Sequence, residues 1–288
     1  MMRTMKFTKM HGLGNDYVYI NGFAERVDDP ADVARKVSDR HFGIGSDGLI
    51  LILPPTQSHA DVRMRMFNID GSEGEMCGNG VRCVAKYAFD HGLTKNNPMR
   101  VETGRGVLML DLKLDRASKV EQVTVNMGEP IFDPAKIPFD PTKAVATKDP
   151  KVFRYELGGE AMEVVPISTG NPHSVSFVND VDALDLNKIG PLAEKHPAFP
   201  KKVNAHWAQV ISPRELKMRT WERGSGITWA CGTGASAVCV SAVITGRSER
   251  KVLIHLPGGD LNIEWRESDG NIYMTGPATE VFSGEWNG

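Results

Sequence analysis

The chain contains one unusual segment twice, and this duplication constrains its fold more than any other feature. Each copy has a short alternating stretch followed by a Cys-Gly-x-Gly motif, first Met64–Phe67 with Cys77–Gly80 and then Met218–Trp221 with Cys231–Gly234. The offset is 154 residues, and it also relates Gly92 to Gly246 and Gly104 to Gly258. A repeated strand–loop–helix–hairpin unit predicts two similar halves with one motif cysteine each, facing each other across a pseudo-twofold axis.

Hydrophobic patterning predicts what each half contains. The segment from Gly232 to Thr245 is apolar nearly all round, as is typical of a buried helix. We therefore expect an α+β fold with two pseudo-symmetric domains, each a β-barrel-like sheet wrapped around a central buried helix. The first is predicted to span 1–128 and the second 129–275, with five prolines between Glu129 and Pro150 marking the crossing. The tail, 276–288, is expected to return to the first half.

Composition excludes several classes of partner. A formal net charge of −2 gives no electrostatic basis for binding nucleic acid or an anionic membrane. No stretch approaches the roughly 18 consecutive apolar residues that a membrane helix needs. The N-terminus leads into an alternating strand rather than the apolar run of a signal peptide, so we expect a cytoplasmic protein. Cysteines six residues apart (Cys77, Cys83) and eight apart (Cys231, Cys239) do not match zinc-site spacing, and no metal is expected.

The motif cysteines have a different environment from the other two. Cys83 and Cys239 fall inside predicted helices, where cysteine commonly serves as a small core residue. Cys77 and Cys231 stand at predicted helix starts within glycine frames, where free N–H groups and the helix dipole favour a thiolate or a bound carboxylate. Two such thiols suit a reaction that takes a proton from one face of a carbon and returns one to the other.

Polar residues elsewhere suggest the kind of ligand. Four asparagines lie at predicted strand ends or loops: Asn15, Asn68, Asn171 and Asn204. Glu222 and Arg223 precede the second cysteine. Each asparagine alone is more often a turn residue. Together, amides and a bidentate arginine suit a zwitterion with several carboxylate and ammonium groups.

Several motifs taken in order identify a family resemblance. The resemblance covers essentially the whole chain, and six motifs carry it: His11–Asp16, Phe67–Glu73, Cys77–Gly80, Gly170–His173, Val203–Ala205, and Glu222–Gly224 with Ala230–Gly234. In this order they closely resemble the diaminopimelate epimerase family. The resemblance implies two pseudo-symmetric domains with the active site in the cleft between them. It also implies a cofactor-independent interconversion of LL- and meso-diaminopimelate, on the route to lysine and peptidoglycan, and often a homodimer.

The resemblance also implies roles for individual residues. Cys77 and Cys231 match the acid/base pair of a two-base mechanism. Positions matching substrate contacts are Asn15, Asn68, Asn171, Asn204, Glu222 and Arg223. Backbone groups matching those that hold the reacting α-carboxylate belong to Gly78, Asn79, Gly232 and Thr233. His173 and Glu222 match activity-supporting positions near the reacting amine. One departure is Gly48, where some members carry a glutamine that contributes to the site.

Other interpretations remain open at this point. Gly43–Gly48 formally matches Gly-x-Gly-x-x-Gly, but it follows a helix and opens a strand, which argues against a dinucleotide site. A proline racemase-like or phenazine-biosynthesis isomerase-like enzyme would share the architecture. A hydrolase could use either motif cysteine as nucleophile with His173 as base. A non-catalytic amino-acid-binding protein is a third alternative, which an absence of α-proton exchange would favour.

Overall fold

A computed structural model describes residues 4–288, and the chain divides into two compact units. Unit 1 comprises the chain up to Asn126 together with Thr275–Gly288, and unit 2 comprises Met127–Met274. The expected boundaries were 128/129 and 275/276. Residues 1–3 lie outside the described residues. They are part of the N-terminal segment on which the expectation of no signal peptide depends.

Between Met5 and Gly128 the chain forms eight strands and two helices. In chain order these are β1 (Met5–Gly12), β2 (Asn15–Asn21), α1 (Pro30–Ser38), β3 (Gly48–Leu53), β4 (Val62–Asn68), β5 (Glu73–Gly74), α2 (Gly78–Asp90), β6 (Met99–Thr103), β7 (Gly106–Leu114) and β8 (Val120–Gly128). The next elements are a 3₁₀ turn (Pro141–Lys143), β9 (Val145–Ala146), β10 (Phe153–Leu157), β11 (Glu160–Ser168), β12 (Pro172–Phe177), α3 (Leu186–Glu194), β13 (Asn204–Ser212), β14 (Glu215–Glu222), β15 (Gly226–Ile227), α4 (Gly232–Ile244), β16 (Lys251–Leu256), β17 (Gly259–Trp265), β18 (Ile272–Pro277) and β19 (Thr279–Trp286).

The two units repeat one pattern of strand pairing. In unit 1, β1 pairs with β2 antiparallel, β2 with β3 parallel, β3 with β4 antiparallel and β4 with β6 parallel. In unit 2, β11, β12, β13, β14 and β16 pair in the same order with the same alternation of direction. The mixed sheets and the repeated order confirm the predicted α+β fold class.

Each unit surrounds one helix with its strands. Helix α2 packs against β1, β2, β3, β4, β6, β7 and β19, and α4 packs against β11, β12, β13, β16 and β17. Both helices are 13 residues long, begin 154 residues apart, and bury most of their residues. Gly92 and Gly246, just beyond the helix ends, have φ of 74° and 68°, the left-handed conformation that glycine adopts without a Cβ penalty. The prediction of a central buried helix in each half is confirmed.

No helix within residues 4–288 is long and apolar enough to cross a bilayer.

Candidate functional site

Cys77 is held at the first turn of α2. It is the N-cap residue, with extended backbone, and its Sγ accepts a hydrogen bond from the Gly80 N–H at 3.4 Å. The thiol is half-buried and donates to Oδ1 of Asn15, also at 3.4 Å. A Cβ at Gly80 would lie 2.7 Å from Cδ1 of Ile50, so glycine allows the close packing seen here without a shift of that side chain. The glycine frame thus lets the helix start close to the strands while the Gly80 N–H donates to the sulfur.

The amide of Asn15 has a defined orientation. Its Nδ2 donates to Oδ2 of Asp47 at 2.8 Å, and the Asp16 N–H donates to the same oxygen at 3.1 Å. Because a carboxylate only accepts, Asp47 forces the Asn15 carbonyl oxygen toward Cys77. Arg40 contacts Asp16 and Asp47, each at 2.9 Å. Asp47 is therefore a positioning residue for Asn15 that sequence reasoning missed.

Asn79 is held by a buried charge. Arg82, fully buried inside α2, donates to Oδ1 of Asn79 at 2.9 Å, to the Gly78 carbonyl at 3.1 Å and to the Pro277 carbonyl at 3.1 Å. Nδ2 of Asn79 donates to Asn15 Oδ1 at 3.4 Å. Asn15, Cys77, Gly78 and Asn79 thus form one cluster. The sequence contained a signal that Arg82 has a specific role, because a lone arginine in an otherwise apolar stretch of a buried helix needs specific partners.

Asn68 stands apart from this cluster. It ends β4, its Nδ2 donates to Ser72 Oγ at 3.0 Å, and it lies opposite Gly48 in the β3–β4 register. Gly48 has φ of 157°, and a Cβ there would lie 2.2 Å from the Phe67 carbonyl oxygen. The backbone at this position therefore has no room for a side chain.

Replacing Gly48 by Gln is expected to destabilise the protein rather than add a substrate contact. The clash with Phe67 O forces a backbone shift that costs about 1–3 kcal/mol in the free energy of unfolding. Thermal unfolding of wild type, Gly48→Gln and Gly48→Ala tests this. Since Cβ alone causes the clash, alanine and glutamine should lower the melting temperature equally, and an unchanged glutamine variant would contradict the explanation.

Cys231 occupies the equivalent N-cap of α4 in unit 2 but has different neighbours. It is buried, makes no side-chain cap hydrogen bond, and lies 3.6 Å from Thr233 Oγ1. Burial, and next the negative charge of Glu222, raise the pKa of the Cys231 thiol well above its usual value. Thr228 Oγ1 donates to Glu222 Oε1 at 2.5 Å and so holds this carboxylate. Both effects favour the thiol form of Cys231 over the thiolate.

The loop containing Arg223 is hydrogen-bonded to the first residue of β13. Asn204, the first residue of β13, donates through Nδ2 to the Pro172 carbonyl at 2.9 Å and accepts from the Arg223 N–H at 3.0 Å. The buried carboxylate of Glu194 accepts from Trp221 Nε1 at 2.8 Å and from the Gly224 N–H at 3.3 Å. The Arg223 side chain is exposed, and its Nη1 donates to the Lys201 carbonyl at 3.2 Å. The loop is thus anchored while its guanidinium stays accessible.

His173 lies in strand β12, and it is fully buried. Its Nε2 is 2.8 Å from Asn171 Oδ1, and its Nδ1 is 2.8 Å from Nε2 of His206. Sequence reasoning missed His206. Because both ring nitrogens of His173 have partners other than a thiol, and Cys231 has Thr233 and Glu222 as neighbours, unit 2 does not form the Cys–His dyad of a thiol hydrolase.

The buried histidines predict acid sensitivity. Burial lowers the pKa of His206 to about 3 and that of His173 well below its ordinary value. An unfolded histidine titrates near about 6.5, so below that pH the unfolded chain binds protons that the folded chain does not. The free energy of unfolding should therefore fall by about 2 kcal/mol for His206 alone between about pH 7.5 and about pH 5.

Urea unfolding at the two pH values, compared between wild type and His206→Leu, measures this contribution. Other groups that titrate in this range contribute to both proteins, so the difference between the two pH slopes isolates the histidine. Equal slopes would contradict the assignment.

Within residues 4–288, no group of three or more His, Cys, Asp or Glu side chains is arranged to hold a metal ion.

Comparison with known proteins decides the family. A family model described as diaminopimelate epimerase matches residues 7–132 and 165–281. The chain belongs to the diaminopimelate epimerase family. A curated diaminopimelate epimerase from Acetivibrio thermocellus is 55% identical over 281 residues, which is 98% of each chain. One from Desulfovibrio desulfuricans is 54% identical over 99% of each chain.

Solved structures show the breadth of the fold around this family. A phenazine biosynthesis protein of the PhzF family from Bacillus anthracis matches with a TM-score of 0.69 at 17% identity, covering 99% of both chains. A predicted epimerase from Pseudomonas aeruginosa matches with a TM-score of 0.67 at 17% identity, covering 98% of this chain and 99% of that one. At these identities the likeness concerns the fold alone, and it agrees with the duplicated architecture of this diaminopimelate epimerase family member.

Proposed function

We propose that this protein is a cofactor-independent epimerase that interconverts LL- and meso-2,6-diaminopimelate, in lysine and peptidoglycan precursor biosynthesis. The observation that carries the proposal is the identity of 53–55% over nearly the full length to relatives named diaminopimelate epimerase. The paired cysteines at the starts of α2 and α4 supply chemistry that suits the reaction.

The proposed reaction needs one base and one acid. In one direction, the Cys77 thiolate takes the α-proton, the bonding electrons stay on the α-carbon and its carboxylate, and the Cys231 S–H gives a proton to the opposite face. Afterwards Cys77 is a thiol and Cys231 a thiolate, and the reverse reaction exchanges their roles. The raised pKa of Cys231 supports its role as the initial acid. Apparent pKa values in kinetics would belong to the pair.

Stabilisation of the carbanion is proposed to come from the helix starts. Backbone N–H groups at the helix starts, those of Gly78, Asn79, Gly232 and Thr233, are the candidates to hold the α-carboxylate, where negative charge increases as the proton leaves. Because these donors belong to helices packed within sheets, they need little reorganisation during the reaction.

The distal end of the substrate requires separate recognition. Arg223 has an accessible guanidinium on an anchored loop, and we assign it the distal carboxylate, with Asn68, Asn171 and Asn204 as further contacts. Asn15 is placed beside the Cys77 thiol. His173 and Glu222 are assigned to the surroundings of the reacting amine.

The proposal extends to assembly and location. The resemblance to a family whose members are often homodimers favours a homodimer, and sedimentation velocity of the purified chain tests this. All four cysteines are free in the structure. Thiol acid/base chemistry needs reduced cysteines, and the cytoplasm keeps them reduced, so we propose a cytoplasmic location.

A stereochemical assay in deuterium oxide tests the function. LL-diaminopimelate is incubated with the purified protein without added cofactor. The isomers are then separated, and mass spectrometry measures their deuterium content. We expect meso-diaminopimelate with deuterium at the inverted carbon and no cleaved product. Recovery of only the LL isomer, without deuterium, would contradict the proposed function.

A further inference from the structure

A chain of hydrogen bonds runs through the buried interior of unit 2, behind the residues already assigned to the site. Thr220 Oγ1 lies 2.9 Å from His206 Nδ1, and His206 Nε2 lies 2.8 Å from His173 Nδ1. The sheet register creates this alignment. His206 is directly opposite Thr220 across the β13–β14 pair, and it lies two residues along β13 from Asn204, the partner of His173.

The neighbours of His173 determine which ring nitrogen carries its proton. Thr169 Oγ1 donates its hydrogen to the Thr233 carbonyl at 3.2 Å, so it can only accept from His173 Nε2, 3.1 Å away. Asn171 Oδ1, 2.8 Å from the same nitrogen, is also an acceptor. Both partners therefore require a hydrogen on Nε2 of His173.

This requirement propagates to His206. A neutral His173 with a hydrogen on Nε2 has an accepting Nδ1, which needs a donor in this buried site. His206 Nε2–H supplies that donor, and Thr220 O–H then donates to His206 Nδ1. All four ring nitrogens of the two imidazoles then have partners in this one direction, from Thr220 through His206 and His173 to Asn171. Burial lowers the pKa of both rings, which agrees with two neutral imidazoles.

The duplication shows that His206 is not needed to fill the core. A Cβ on Gly234 would lie 2.2 Å from His206 Cε1, and a Cβ on Gly80 would lie 2.7 Å from Ile50 Cδ1. The position that holds His206 against α4 in unit 2 thus holds an isoleucine against α2 in unit 1. An aliphatic side chain can serve this packing role, and a buried polar ring costs free energy unless its hydrogen bonds are made. A function beyond packing explains the histidine.

We propose that His206 is a positioning residue that keeps His173 in its Nε2–H tautomer and thereby fixes the amide of Asn171 with its N–H₂ group turned away from the ring. Within the described residues, Asn171 Nδ2 makes no hydrogen bond, so its two donors remain for an anionic group of a substrate. The counterpart in unit 1, Asn15, is fixed the opposite way by Asp47 and offers its oxygen. The two related asparagines therefore present opposite hydrogen-bonding groups.

The tautomer part of this proposal is independent of the activity, whereas the substrate contact rests on the proposed function. Long-range ¹H–¹⁵N correlation spectra of the ligand-free, ¹⁵N-histidine-labelled protein distinguish the two neutral tautomers and the imidazolium. His173→Gln identifies the His173 signals by their loss. We expect the Nε2–H pattern for His173 in wild type and a changed or mixed pattern in His206→Leu. An Nδ1–H or imidazolium His173 in the wild-type protein at neutral pH would overturn the proposal.

Steady-state kinetics test the consequence for Asn171. His206→Leu removes the Nε2–H donor to His173. We expect KM for diaminopimelate to rise about tenfold, with kcat changed less than about threefold, because the Asn171 amide can then rotate and lose a ground-state contact with the substrate. His206→Gln keeps an N–H donor and should restore part of the loss. Thr220→Val removes only the outermost donor and provides a milder variant if His206→Leu does not fold.

Different outcomes test the role of His206 and the proposed epimerase function. His255→Leu, in β16 of the same unit, also replaces a histidine by leucine, but His255 is not part of this hydrogen-bond chain. It should leave KM and the His173 signals unchanged. If folded His206→Leu and Thr220→Val both keep wild-type KM and wild-type His173 signals, the proposal fails. Failure of wild type to epimerise diaminopimelate in deuterium oxide would instead refute the proposed function, and the tautomer result would be judged from the spectra.

Discussion

Cys77→Ala is expected to abolish epimerisation, with a loss of kcat of about 10⁴-fold or more. One thiol cannot both remove a proton from one face of the α-carbon and deliver one to the other. Cys231→Ala is expected to have the same effect. Assays of stereochemical inversion and of α-deuterium incorporation on the purified variants measure both losses.

The chain provides matched controls for these substitutions. Cys83 and Cys239 are buried within α2 and α4, and burial raises the pKa of Cys83 to about 11 and of Cys239 to about 12. Such thiols stay protonated and packed, so Cys83→Ala and Cys239→Ala should retain activity with only a modest loss of stability. Wild-type epimerisation by Cys77→Ala would rule out the two-base mechanism.

Glu222→Gln is expected to lower the pKa of Cys231 and reduce kcat/KM about 10²-fold. The negative charge of Glu222 disfavours the Cys231 thiolate, so its removal lets the thiol lose its proton at lower pH. A charged group assigned to the surroundings of the reacting amine is also lost, which accounts for the lower kcat/KM. Glutamine can still accept the hydrogen bond from Thr228, which keeps the local fold.

The pH dependence of alkylation measures the shift directly. Iodoacetamide modification of the Cys231 peptide, followed by mass spectrometry over a pH series, should show a midpoint at lower pH in Glu222→Gln than in wild type. Glu267→Gln, an exposed glutamate in the same unit, should leave the midpoint unchanged. A midpoint that stays in place or moves upward in Glu222→Gln would show that Glu222 does not control this thiol.

Local sequence patterns predicted most elements because hydrophobic alternation and glycine positions act over short distances. The helix predicted over Gly232 to Thr245 begins at Gly232 in the structure and ends at Ile244, one residue earlier than expected. The strand β19, by contrast, was not predicted. Its residues Thr279–Trp286 are mostly exposed and show no clean alternation, and pairing with β1 is what makes it a strand.

The candidate site was only partly predictable for a similar reason. Motif positions pointed to Cys77 and Cys231, and the N-cap geometry of both agrees with the expected helix starts. The supporting residues were not predicted. Asp47 acts on Asn15 from 32 residues away, and His206 acts on His173 from 33 residues away. Such partners are brought together by strand register and helix packing, which no local pattern encodes.

The sequence alone therefore determined the duplicated architecture, the two motif cysteines at helix starts and the family, because periodicity, glycine frames and ordered motifs are properties of neighbouring residues. Only the tertiary structure decided how the side chains around those cysteines are oriented and charged. The amide directions of Asn15 and Asn171, the raised pKa of Cys231 and the tautomer of His173 all depend on burial and on hydrogen-bond partners distant along the chain.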